Sequence, residues 1–89
     1  MIPYTDIEVT DKYIIREFNE NIDPIELLWH RDLRDRKITV LQGERWYFQK
    51  DNELPVELKE GVSIFIPAMS WHRVIKGNSL LRIEIEEDN

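Results

Sequence analysis

No cysteine occurs in the 89-residue chain. That excludes both a disulfide framework and a thiolate metal site. A single domain of this length lies near the lower end of what one core stabilises unaided. Apolar area buried between subunits would extend that core, so a homodimer is expected. Long apolar runs are missing as well, and no stretch approaches the roughly 20 residues a bilayer-spanning helix needs. The opening residues, Met1 to Asp6, lack a basic segment followed by an apolar one. No signal peptide and no membrane partner are therefore expected, and a cytoplasmic protein is the default reading. A basic surplus is also lacking. The formal net charge of −6 argues against general nucleic-acid binding, which depends on neutralising phosphates.

The charge that is present is unevenly spread. Residues 29–50 carry six basic and three acidic side chains, whereas residues 1–28 carry seven acids against Lys12 and Arg16. Solvated strand faces paired with acidic neighbours explain this pattern simply. A mouth that attracts a small anion explains it too.

Gly43, Gly61 and Gly77, with Asp51-Asn52 and Pro67, punctuate a series of short runs with strand-forming residues. Strands are predicted over Tyr13–Phe18, Ile25–His30, Arg36–Gln42, Arg45–Gln49, Val62–Ile66, His72–Ile75 and Leu80–Glu86, with a short one around Val56 and Leu58. Alternation puts Arg36, Ile38 and Val40 on one face, and Leu81, Ile83 and Ile85 inward. Residues 1–20 read as an arm or edge strand and residues 21–89 as the body. No repeat, linker or low-complexity segment is evident. Short strands at close spacing argue for an all-β barrel or sandwich.

Two histidines stand out, each within a Trp-His-Arg run. In an extended segment His30 and Asp32 share a face, with Leu28, and Leu27 and Trp29 face the other way. A second imidazole from a neighbouring strand would complete a two-His, one-carboxylate set, which suits non-haem iron or a related divalent ion. The same parity sends Trp29 and Trp71, with Arg31 and Arg73, to the outer face. There the two indoles would anchor a partner surface.

The motif spacings resemble those of the cupins. Their first motif is Gly-x5-His-x-His-x3,4-Glu-x6-Gly, and His30-x-Asp32-x3-Arg36-x6-Gly43 keeps its spacing from first ligand to last glycine. Their second is Gly-x5-Pro-x-Gly-x2-His-x3-Asn, and Gly61-x5-Pro67-x4-His72 keeps it as far as the histidine. The resemblance implies a small cupin-type, jelly-roll-like β-barrel over residues 25–86. It also implies a mononuclear site for Fe(II), Mn, Zn or Ni on His30, Asp32 and His72. Several positions depart from the pattern. Asp32 replaces the second His and Arg36 the Glu ligand, while Pro24, Met69 and Lys76 replace two glycines and the asparagine.

Arg36 decides between readings. A dication and a guanidinium ~5 Å apart repel by roughly 6–7 kcal/mol at an effective dielectric of about 20. Arg36 either forms a metal-free ion pair with Asp32 or turns aside to hold the carboxylate or phosphate of a substrate. Trp46 and Phe48 read first as core, and second as a platform for the same substrate. Three functions remain open: a metal centre that binds or transforms a small anionic metabolite, a metal-free binding module, and an interaction protein that kept only the barrel. No residue identifies itself as a general base, so the sequence names no reaction.

Overall fold

The computed structural model describes residues 4–22 and 27–87. Eight strands follow one another: β1 Thr5–Val9, β2 Ile14–Phe18, β3 Arg36–Gln42, β4 Tyr47–Lys50, β5 Val56–Glu57, β6 Ser63–Ile66, β7 His72–Ile75 and β8 Leu81–Glu87. No helix occurs among the described residues. Every pairing is antiparallel, in a five-stranded sheet of order β1-β2-β8-β3-β6 and a three-stranded sheet of order β5-β4-β7.

Period-two alternation explains the core. Ile38 and Val40 from β3 meet Leu81, Ile83 and Ile85 from β8, and Phe18 joins them from β2. Trp46, Phe48 and Leu58 close the layer from the other sheet. The outward residues of the large sheet are mostly charged or polar, with Lys37 flanked by Glu86 and Phe65, and Thr39 flanked by Glu84 and Ser63. Two turns lock together beneath Trp46. Its Nε1 donates to the Ser79 carbonyl at 2.8 Å, the Glu44 amide donates to Ser79 Oγ at 2.8 Å, and the Asn78 amide donates to the Glu44 carbonyl at 3.1 Å. Gly77 sits inside this knot, where a Cβ would stand 2.3 Å from the Glu44 carbonyl oxygen.

One predicted strand is corrected. Ile25 and Glu26 lie outside the described residues, and from Leu27 to Asp35 the only ladder contact is a single bridge between His30 and His72. The physical reason is that this segment crosses from the small sheet to the large one. It is held by a loop rather than a strand: the Met69 amide donates to the Asp32 carbonyl at 2.7 Å, and the Ala68 amide to Asp35 Oδ1 at 2.7 Å. Without a continuous ladder the expected parity fails at its start. Leu27 packs against the core and Leu28 faces solvent, the reverse of the alternation.

Candidate metal centre

His30 and His72 exchange main-chain hydrogen bonds, each amide donating to the other's carbonyl at 2.9 Å. Paired residues of an antiparallel ladder project to one side, and the two imidazoles meet edge to face with centroids 4.3 Å apart. Both repeat one local arrangement. His30 Nδ1 lies 3.1 Å from the Leu28 carbonyl oxygen, and His72 Nδ1 lies 2.9 Å from that of Ser70. A carbonyl can only accept, so each Nδ1 carries a proton, and in a neutral ring the lone pair is left on Nε2. This is the outer hydrogen bond that orients metal-bound histidines.

Asp32 completes the cluster, and the ligand atoms of His30, Asp32 and His72 all lie within 4.8 Å of one another. Its Oδ2 stands 3.2 Å from His72 Nε2 and 3.5 Å from Arg36 Nη1. That oxygen is buried and makes no hydrogen bond among the described residues. Burial lowers the His72 pKa from 6.5; His30 and Arg36 add to the lowering, while the Ser70 hydrogen bond and Asp32 oppose it. At neutral pH a lone pair therefore faces a carboxylate oxygen, a contact that a cation between them would relieve. The donor set fits a divalent ion on this observation.

Arg36 is held mainly by Glu87, with Nε donating to Oε2 at 2.9 Å. Its side chain and that of Phe48 line a cavity of about 350 Å³, which His30, Asp32 and His72 also line. Trp46 does not line it: the indole is fully buried behind the wall, at 0 % exposure. Trp29, expected on the outer face with Trp71, also borders the cavity, and both indoles remain exposed. Arg73 lies over Trp29 at 4.9 Å, and Arg31 over Trp71 at 5.1 Å. The crossing follows from the antiparallel bridge, which puts residue 29 opposite 73 and residue 31 opposite 71.

Sequence reasoning missed three participants. Glu87 continues the inward parity of Leu81, Ile83 and Ile85, and extending that parity by one step would have found it. Arg16 stands at the inward position between Ile14 and Phe18, a signal of the same kind. Asp35 had no pattern to show it, because its partner is a backbone amide in a distant loop.

No family model and no curated protein matches the sequence. Solved structures do match. A cupin domain protein from Bordetella pertussis Tohama I is 20% identical, with 97% of this chain and 92% of that one covered at a TM-score of 0.63. An RmlC-like cupin family protein with a double-stranded β-helix fold, from Methanocaldococcus jannaschii, is 16% identical, with coverage of 94% and 77% and a TM-score of 0.67. A DMSP lyase structure reaches a TM-score of 0.72 at 20% identity over 90% of this chain, which spans 40% of that protein's length. The chain therefore has the fold of a small cupin domain.

Proposed function

We propose that this cupin domain holds one divalent metal ion on His30, Asp32 and His72, and that the adjoining cavity binds or transforms a small anionic metabolite. One observation carries the reading: two imidazoles, each bonded through Nδ1 to a carbonyl, have ligand atoms within 4.8 Å of a ligand atom of Asp32, whose buried Oδ2 has no hydrogen bond and lies 3.2 Å from His72 Nε2. Two histidines and one carboxylate suit Fe(II), Mn, Zn or Ni. A bound ion of this kind would supply a Lewis acid with coordination positions open to substrate. The chain's own residues orient the ligands, through the Leu28 and Ser70 carbonyls, and enclose the cavity with Phe48, Ile38 and Ile66.

The Arg36 Nη1 to Asp32 contact of 3.5 Å favours a second reading, a metal-free cavity closed by that ion pair. Its length, beside the 2.9 Å bond to Glu87, makes it the weaker of Arg36's two attachments. We also propose that the protein works in the cytoplasm as a homodimer. The interleaved charges on the outer sheet face support exposure to water, and the exposed Trp29 and Trp71 support assembly.

Metal analysis of untagged protein, beside His72→Ala, tests the main reading. A near-stoichiometric transition metal, lost in the variant, is the expected result. Protein that arrives without metal, and takes up none of the four ions after chelator treatment, overturns it.

A further inference from the structure

Arg16 and His72 are the two buried polar or charged side chains among the described residues, at 9% and 3% exposure, and both line the same cavity. The metal reading uses His72 and leaves Arg16 without a role. Register shows how unusual its position is. Arg16 pairs with Asp6 on one side and with Ile83 on the other, and Ile83 pairs with Val40, so a guanidinium stands where the row passes from a carboxylate to the aliphatic core. Well-packed apolar residues often stabilise a core as well as a buried ion pair does, so packing does not account for it.

The guanidinium is nevertheless held firmly. Its Nε donates to Asp6 Oδ1 at 2.7 Å and its Nη2 to Oδ2 at 3.2 Å. The Tyr4 ring covers it, with the guanidinium carbon 3.6 Å from the ring centre. Asp6 takes two of the five N–H groups of this fork, and no other hydrogen bond joins it to a described residue. Arg36, the other cavity arginine, is engaged by two carboxylates, Glu87 and Asp32.

We infer that Arg16 anchors the carboxylate of a small organic monoanion, whose apolar body fills the cavity and whose far end reaches the His30–Asp32–His72 cluster. The monoanionic charge rests on the metal reading proposed above. With a dication bound, the two arginines and the ion exceed Asp6, Asp32 and Glu87 by one positive charge. The apolar body follows from the walls, among them Phe18, Phe48, Ile83 and Ile85.

Calorimetric titration of butanoate, hexanoate and octanoate tests the inference, with 1-hexanol and adipate as the uncharged and dianionic controls. Zn(II)-loaded and chelator-treated proteins are compared, and Zn(II) affinity is measured separately. At least one monocarboxylate is expected to bind about 10-fold or more tighter than either control, and Arg16→Gln to lose that margin with Zn(II) affinity unchanged. Asp6→Asn lifts a competing carboxylate from Arg16 and is expected to tighten monocarboxylate binding. Binding that survives Arg16→Gln, or that falls only in Arg36→Gln, overturns the inference. Should Arg16→Gln fail to fold, Asp6→Asn decides alone, and unchanged or weaker binding overturns it. Zn(II) binding without any monocarboxylate binding removes the anchor and leaves the metal site standing. Arg16-dependent binding without Zn(II) uptake supports the anchor and removes zinc from the metal reading, which then falls if Fe(II), Mn and Ni are refused as well.

Discussion

His72 Nε2 faces Asp32 Oδ2 across 3.2 Å with no proton assigned to either atom at neutral pH. The contact is repulsive until a cation enters it, and a proton or a metal ion would serve. The two compete for one lone pair, and from that competition the behaviour of the site in acid follows.

Acid should destabilise the metal-free protein. The native His72 pKa lies below the ordinary 6.5 because the ring is buried. Between that lowered value and 6.5 the unfolded chain binds more protons than the native one, so stability is full above 6.5 and falls as pH drops through this window. The loss from this group is at most about 1.4 kcal/mol per pH unit. Urea midpoints of chelator-treated protein between pH 7.5 and 5 measure it, and His72→Asn should flatten the curve. Equal slopes in both proteins would assign the acid sensitivity elsewhere.

Arg36→Glu should make stability depend on metal. The new carboxylate would stand near Asp32 and Glu87, which now share the arginine. Melting temperature in chelator should fall, and affinity for Zn(II) should rise by about 100-fold or more, because a repelling charge becomes a ligand. A variant that melts and binds as wild type does would show that the site is insensitive to this side chain.

Gly77→Ala should cost about 1–3 kcal/mol or more, since overpacked sites force the backbone to move. The atoms a Cβ would meet are the Glu44 carbonyl oxygen at 2.3 Å, Trp46 Cδ1 at 2.5 Å and the Arg45 carbonyl carbon at 2.7 Å. Two of the three are backbone and cannot rotate away. Denaturant unfolding with Trp46 fluorescence reads the loss directly, and a change below the error of the method would contradict the packing.

Trp29→Ala with Trp71→Ala should convert a dimer into monomers. Sedimentation of both proteins at micromolar concentration is the measurement, and a monomeric wild type ends the proposal. Within one subunit the Arg31–Trp71 pair is exposed, so Arg31→Ala alone should cost only about 0.5–1 kcal/mol.

The strands of the barrel were legible because their signal is local. Arg36–Gln42 and His72–Ile75 are found at the predicted boundaries, and Leu81, Ile83 and Ile85 face inward as their alternation requires. The segment before β3 was not legible. Its apolar residues resemble a strand, but its hydrogen bonds go to a loop 35 or so residues away, a pairing no local pattern records. The candidate site was read in part for the same reason. Spacing brought out His30, Asp32 and His72, and parity alone would have turned Glu87 inward, whereas its pairing with Arg36 rests on a register that only the folded sheet defines.

The bridge between His30 and His72 has a consequence for a chain without cysteine. A metal ion held by both imidazoles, as proposed above, would join two points far apart in sequence, as a disulfide does, and would close a loop of about 40 residues. Unlike a disulfide, such a clasp would answer to chelators and protons instead of thiols. Its release would free the segment from Leu27 to Asp35, which otherwise hangs on a handful of hydrogen bonds to β7 and the loop before it. Metal exchange would then run at the pace of that segment's local opening, so amide hydrogen exchange at His30 and metal release would share one clock.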